Sequence, residues 1–132
     1  IIGKNKQSSD FVQYIINQAQ IGKPIELYGE GLYFRNIIHV SEAVKAIISS
    51  VEADCISGFD TIEVGSYNTI SIYDICKYLL EKTGSKSKVL LIDNKASTDF
   101  HAFINVSKTV LIKYNCLSIE NNLNIFIKEL KL

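Results

Sequence analysis

The sequence contains no methionine, carries no net charge and has three cysteines, and each of these features limits what the protein can be. Its 14 basic and 14 acidic residues are interleaved, so no basic stripe exists for an extended nucleic-acid surface. No apolar run approaches the roughly 18 residues of a membrane helix, and the N-terminus lacks the order of a signal peptide. We therefore expect a cytoplasmic protein that binds neither nucleic acid nor membrane.

The absence of methionine also suggests how this sequence relates to its natural gene product. A natural gene product needs an initiator residue, yet this sequence opens on Ile1, Ile2 and Gly3 without the approach of a helix or strand. We therefore expect a piece of a longer protein. A chain of 132 residues, 47% of them hydrophobic, can form one domain around one core.

The cysteines do not indicate a metal site or a disulfide framework. Cys55, Cys76 and Cys116 are widely separated, odd in number and outside any C-x-x-C motif, whereas metal and disulfide sites need closer or paired spacing. Cys76 lies on the apolar side of a predicted helix, which is typical of a small core residue. We expect three reduced thiols and no metal.

The spacing of apolar residues predicts an α/β fold with three or four short strands and four or five helices. Ser71, followed by Asp74 and flanked by Ile70 and Ile75, gives the clearest helix start, with a capping box and a hydrophobic staple. We assign His39 a local hydrogen bond and no catalytic role. The predicted helices cover about residues 9 to 21, 41 to 51, 71 to 83, 107 to 113 and 118 to 130, and the predicted strands cover 25 to 28, 37 to 40, 59 to 64 and 88 to 92.

Single residues predict where some of these helices begin and end. Ser41 and Ser118 are the expected caps of the helices that they open, and Gly84 closes the helix at residues 71 to 83.

Arg35 is the single arginine of the chain, and all other basic side chains are lysines. A guanidinium grips a phosphate or carboxylate in two-point geometry, whereas an ammonium acts as a point charge. The position of Arg35 just after the turn of Gly29 and Gly31 therefore suggests an anion site. The alternative is a surface ion pair with Glu30 or Glu42, which would contribute little to stability.

Five stretches of the sequence resemble one known family. Residues 22 to 46 contain GKPIELYGEG, FRNIIHV and SEAVKAI, which resemble motifs of the NAD-dependent nucleotide-sugar epimerases and dehydratases, in the extended short-chain dehydrogenase/reductase family. Matches continue in the family's order at residues 62 to 66, 71 to 80, 98 to 108 and 118 to 123. The resemblance implies a small substrate-binding domain, with residues 1 to 132 forming the C-terminal nucleotide-sugar-binding part of a longer enzyme and without a complete Rossmann fold.

The resemblance also implies roles for individual residues of a nucleoside-diphosphate-sugar site. Arg35 would grip the pyrophosphate, and Tyr28 would lie beside the base, where family members often have a stacking aromatic residue. Asn68 could reach the ligand from its loop, although turn asparagines usually serve the backbone. Tyr28 could equally be an ordinary strand aromatic residue.

The segment after the last predicted strand departs from the family pattern. Asp99 matches an aspartate that can meet a ribose, but the family's phosphate-binding arginine falls on Ala96, and Lys95 is the nearest cation. The ammonium of a lysine next to the expected position orients a phosphate less strictly than the two-point donor fork of an arginine. Either Lys95 substitutes, the ligand differs, or binding has degraded.

Two parts of the family's chemistry are missing from the sequence. No glycine-rich turn opens a helix for a dinucleotide, and the spacing of Tyr73 and Lys77 matches the family's catalytic pair only by chance, inside a predicted helix. We therefore expect no catalytic residues and no cofactor in this chain alone, with NAD bound by an absent N-terminal domain of the parent. A stand-alone nucleotide-sugar-binding module, or a module that docks on another subunit and self-associates, remains the alternative.

Overall fold

The computed structural model describes residues 1–4, 10–53, 60–93 and 101–132. It confirms the predicted α/β class, because short strands alternate with helices along these residues. In chain order they form α1 (Phe11–Gln20), β1 (Ile25–Tyr28), β2 (Phe34–Arg35), α2 (Val40–Val51), β3 (Ile70–Ser71), α3 (Ile72–Thr83), β4 (Val89–Ile92) and α4 (Ile119–Glu129), with 3-10 turns at Gly29–Gly31 and Ser107–Ile112.

The chain divides into two compact units. The first unit comprises Ile1–Lys4, Asn36–Thr69 and Phe103–Lys131, and the second comprises Asn5–Arg35, Ile70–Ala102 and Leu132. The first unit therefore holds α2 and α4, and the second holds the four strands, α1 and α3. None of the described helices is long and apolar enough to cross a membrane.

The second unit is built on two pairs of strands and two helices. β1 and β4 are parallel, in a register that sets Ile25 opposite Val89 and Tyr28 opposite Ile92. β2 and β3 are antiparallel. The apolar stripes of α1 and α3 meet in the core, where Val12, Ile15, Ile16, Ile25, Ile75 and Leu79 are fully buried. Because β1 and β4 are parallel, both carboxyl ends reach the same edge of the sheet.

The helix boundaries in the second unit follow the capping signals of the sequence. Asp10 caps α1, with its Oδ1 accepting from the Val12 amide at 3.1 Å. Ser71 caps α3, with its Oγ accepting from the Asp74 amide at 3.0 Å. Gly84 ends α3 with φ of 64°, a left-handed conformation that glycine adopts without steric cost. The predicted helices at residues 9 to 21 and 71 to 83 are thus confirmed.

The first unit packs α4 against the segment that leads into α2. Its core contains Ile2, Ile37, Ile119, Leu123 and Phe126. Ser118 caps α4 as predicted, accepting from the Asn121 amide at 3.1 Å. The segment predicted as a helix at residues 107 to 113 is a 3-10 helix over Ser107–Ile112.

Three details of the prediction for the first unit are wrong. Residues 37 to 40 are not a strand: Ile2 and His39 form one isolated parallel bridge, and Val40 already belongs to α2. The cap of α2 is His39 rather than Ser41, because the imidazole Nδ1 accepts from the Ser41 amide at 3.2 Å. Nor do residues 60 to 64 form a strand; Phe59, where the predicted strand begins, lies outside the described residues.

The wrong strand at residues 60 to 64 has a physical explanation. Alternating apolar residues show which side chains face a core, but a strand also needs a backbone partner. Here the carboxylates of the segment bind amides of the chain: Asp60 accepts from the Thr61 amide at 2.7 Å and Glu63 from the Asn105 amide at 2.8 Å. The segment is therefore partly buried without belonging to a sheet.

Candidate functional site

A cavity of about 570 Å³ lies in the second unit. Its volume falls within the range of small-molecule sites, roughly 300 to 1,000 Å³. The lining is largely aromatic and aliphatic, and it is made of residues from α1, β1, the segment before β2 and the first turn of α3: Phe11, Tyr14, Ile15, Glu26, Leu27, Tyr28, Tyr33 and Ile72. The cavity can therefore enclose a flat, mainly apolar group.

The alternation of β1 decides which of its side chains face outward. Ile25 and Leu27 are buried, whereas Glu26 and Tyr28 are exposed on the opposite face. Successive side chains of a strand point to opposite faces, so Glu26 and Tyr28 lie side by side. Tyr28 keeps 52% of its surface exposed, which leaves its ring accessible to a ligand.

Tyr28 also lies at the carboxyl edge of the parallel strand pair. It is the last residue of β1 and sits opposite Ile92, the last residue of β4. Ligands of open parallel sheets bind beyond the carboxyl ends of the strands. The predicted position of Tyr28 beside a ligand is consistent with this placement.

The turn after β1 leaves room for the ring of Tyr33. Gly29 has φ of 60° and Gly31 has φ of 68°, conformations that favour glycine. A side chain at Gly29 would overlap the Tyr33 ring. The turn leads into β2 rather than into a helix, so it does not form the helix-terminal cradle that a dinucleotide pyrophosphate uses. The residues of this turn do not fit NAD.

Glu26 gives the cavity its charge. Its Oε2 accepts a hydrogen bond from the Tyr28 hydroxyl at 3.3 Å, and its backbone amide donates to the Tyr14 hydroxyl at 3.3 Å. The nearby carboxylate raises the pKa of Tyr28, because a negative charge disfavours the phenolate. Tyr28 is therefore a protonated hydrogen-bond donor at neutral pH.

Arg35 lies on β2, next to the aromatic lining. It pairs with Ile70 of β3, and its Nη1 donates to the Phe34 carbonyl at 3.0 Å. The guanidinium carbon is 6.0 Å from the centroid of the Tyr33 ring, at the limit of a cation–π contact. The second unit thus brings Arg35 and the cavity together through Tyr33.

The carboxylate of Glu42, one of the two alternative partners of Arg35, has its own contacts in the first unit. Glu42 is 3% exposed; its Oε1 lies 2.6 Å from Lys45 Nζ, and its Oε2 accepts from the Tyr114 hydroxyl at 3.2 Å. Burial, followed by the charge of Glu42, raises the pKa of Tyr114. Glu42 therefore serves the packing of the first unit.

Asn68 belongs to the first unit, where its side chain joins the start of α4. Its Oδ1 accepts from the Ile119 amide at 2.8 Å, and its Nδ2 donates to a Glu120 oxygen at 3.1 Å. This is the backbone-serving role that was the alternative to ligand binding. Lys95 and Asp99 lie outside the described residues, in the segment that follows β4. Ligand contacts of all three remain predictions.

The remaining side chains that could carry chemistry have structural roles among the described residues. Tyr73 and Lys77 stack on α3, with Lys77 Nζ 4.8 Å from the ring centroid. No group of three or more His, Cys, Asp or Glu residues in the described part of the chain could hold a metal ion. Cys76 is fully buried, and burial raises the pKa of its thiol to about 11. It behaves as the predicted core residue.

Several lining residues were not recognised in the sequence. Tyr33 lies two positions before Arg35, a signal that could have drawn attention to it. The period-2 alternation of β1 could have placed Glu26 beside Tyr28. Phe11 and Tyr14 gave no comparable signal, because aromatic residues at helical spacing usually belong to a core.

No model of a known protein family matches the sequence, and no curated protein sequence matches it. Solved structures match over nearly the whole chain. UDP-glucuronic acid 4-epimerase from Bacillus cereus, in complex with UDP-glucuronic acid and NAD, has a TM-score of 0.80 and 19% identity over 98% of this chain and 43% of that chain. dTDP-glucose 4,6-dehydratase from Bacillus anthracis, in complex with NAD, has a TM-score of 0.80 and 19% identity, covering 98% and 42%.

A third solved structure gives the same result. UDP-N-acetylglucosamine 4-epimerase from Methanobrevibacter ruminantium, in complex with UDP-N-acetylmuramic acid, has a TM-score of 0.80 and 21% identity over 98% of this chain and 41% of that chain. The chain thus spans about two fifths of the length of these structures. It has the fold of the matching part of the NAD-dependent nucleotide-sugar epimerases and dehydratases, the extended short-chain dehydrogenases that its motifs resemble.

Proposed function

We propose that this chain is the substrate-binding part of an NAD-dependent nucleoside-diphosphate-sugar epimerase or dehydratase. The observation that carries the proposal is the aromatic cavity at the carboxyl end of β1, with Arg35 beside it, in a chain that has this fold. In the parent protein, NAD would oxidise the sugar transiently and return the hydride. NAD would be bound by an N-terminal domain outside this chain.

The cavity and Arg35 would bind different parts of the ligand. Tyr28 and Tyr33 offer ring faces on which a base can stack, and base–aromatic stacking contributes about 1–3 kcal/mol per base. Arg35 offers a two-point donor fork to the pyrophosphate. Lys95 and Asp99 are further candidates, for a phosphate and the ribose.

A titration of the purified chain tests this proposal. UDP, dTDP and GDP are titrated by isothermal calorimetry into the wild type, Arg35→Ala and Arg35→Lys. Charge-assisted hydrogen bonds contribute about 1.5–3 kcal/mol, so Arg35→Ala should weaken binding by roughly ten- to a hundredfold. Arg35→Lys should restore only part of it, because an ammonium keeps the charge but loses the fork.

Lys23→Ala is the matched control for this titration. Lys23 is an exposed cation of the same unit that does not line the cavity, so its removal lowers the charge equally and should leave binding unchanged. Equal affinities of the wild type and Arg35→Ala would remove Arg35 from the proposal. Absence of nucleotide binding by the wild type would refute the proposal itself.

A subunit-docking module is the second candidate, because one side of α2 exposes a row of aliphatic residues. Contiguous apolar patches on a surface often mark interaction sites. The row contains Val44, Ile47, Ile48 and Val51, of which Val51 is 81% exposed. This alternative would be favoured if the sedimentation coefficient of the wild type rose with protein concentration and if Ile47→Lys abolished that rise. It also requires that the wild type bind no nucleotide.

A further inference from the structure

Glu26 is the one charged side chain among the described residues that line the cavity. Its neighbours there are tyrosine hydroxyls and apolar groups, and no described lysine, arginine or histidine lines the cavity. A carboxylate has about four lone-pair positions, and Tyr28 occupies one of them at 3.3 Å. The carboxylate can therefore accept further hydrogen bonds from a ligand.

The negative charge of Glu26 determines which end of a nucleotide the cavity can accept. A diphosphate next to this carboxylate would meet like-charge repulsion. The guanidinium of Arg35, beside Tyr33, is the favourable partner for the phosphates. The group inside the cavity is then the base, whose flat faces suit the surrounding rings of Phe11, Tyr14 and Tyr28.

The bases differ in the edge that they would present to a carboxylate. Guanine offers two adjacent donors, N1–H and N2–H, which match the two oxygens of a carboxylate in a bidentate pair. Uracil and thymine place carbonyl oxygens on both sides of a single N–H, so at least one oxygen would face the carboxylate. Adenine and cytosine each offer one amino group next to an unprotonated nitrogen. Guanine is therefore the complementary base.

We propose that Glu26 makes the cavity selective for guanine, so that the ligand of this site is a guanosine-diphosphate sugar. The inference rests on the proposed nucleotide-binding function and names its base. It sets this chain apart from the matched structures, whose names specify UDP or dTDP sugars. The selectivity resides in the side chain of one strand residue.

A competition between nucleotides tests the inference. GDP, UDP, dTDP and CDP are titrated by calorimetry into the wild-type chain, Glu26→Gln and Glu81→Gln. Wild type should bind GDP at least about tenfold more tightly than UDP, the effect of one charge-assisted hydrogen bond. Glu26→Gln should lose this preference, because an amide presents one donor and one acceptor. Glu81→Gln removes an exposed carboxylate of the same unit on α3 and should keep it.

The other outcomes overturn the inference in distinguishable ways. If UDP or dTDP binds more tightly than GDP and Arg35→Ala weakens that binding, the nucleotide site stands and guanine selectivity is refuted. If Glu26→Gln weakens all four nucleotides equally, Glu26 contacts a sugar hydroxyl that they share, and guanine selectivity is refuted. If the wild type binds none of them, the proposed function fails together with the inference. The preference for GDP over UDP is measured on the wild-type chain, so a folding defect in a variant cannot affect it.

Discussion

Replacing Asn122 with alanine should destabilise the protein even though alanine is the better helix former. Asn122 lies on α4 and is 1% exposed. Its Oδ1 accepts from the His39 amide at 2.7 Å, and its Nδ2 donates to Ser66 Oγ at 3.0 Å and to the Ser118 carbonyl at 2.9 Å. One side chain thus connects three segments of the first unit.

The cost can be estimated from the groups left behind. Ser66 Oγ still donates to the Ile37 carbonyl, and the Ser118 carbonyl still accepts from the backbone amide of residue 122. The His39 amide loses the Oδ1 acceptor in a buried place, and a buried donor without a partner costs about 1–3 kcal/mol. The gain in helix propensity is at most about 0.7 kcal/mol, so the net effect is a loss.

Asn121→Ala is the matched control. Asn121 is the exposed neighbour on the same helix, so its replacement brings the same gain in propensity without the buried hydrogen bonds. In urea unfolding followed by circular dichroism at 222 nm, the two variants should differ by about 1–3 kcal/mol, a midpoint difference on the order of 1 M. If Asn122→Ala proved as stable as Asn121→Ala, the role assigned to the Asn122 side chain would be refuted.

Two further predictions concern the second unit. Ser71→Ala should lower the free energy of unfolding by about 1 kcal/mol, because it removes the cap of α3. The control Ser50→Ala, at an exposed hydroxyl of α2, should have little effect in the same urea titration. Equal effects of the two substitutions would contradict the cap assignment. Cys76, with its pKa raised to about 11 by burial, is about one part in a thousand thiolate at pH 8. Peptide mapping after alkylation should therefore show Cys76 labelled far more slowly in native protein than in urea, and equal rates would show that the thiol is not buried.

Signals that act within a few residues of the chain predicted the local structure well. The capping pattern of Ser71 and Asp74, the glycine at position 84 and the cap at Ser118 each concern backbone groups within four residues of one another. Such contacts form in the same way wherever the segment is placed. The boundaries of α1, α3 and α4, and the strand at residues 25 to 28, were predicted for this reason.

Signals that need a distant partner were misread. The sequence predicts a strand at His39, but the residue caps α2 while its Nε2 lies 3.1 Å from Glu129, 90 positions along the sequence. Asparagine has low helix propensity, yet the side chain of Asn122 satisfies the backbone amide of His39 in a distant segment. Propensity describes a residue in isolation, whereas burial and hydrogen-bond demand depend on what packs around it.

The same division applies to the candidate site. The α/β class, most of the helices and the residues that carry the family resemblance, including Tyr28 and Arg35, are predictable from the sequence, because they follow from local pattern and motif order. The placement of Glu26 and Tyr33 beside Tyr28 around one cavity, and the contact of Asn68 with α4, became visible in the folded chain alone. A cavity is formed by side chains from α1, β1 and α3 that are far apart in sequence, and their meeting depends on how the helices pack on the strands.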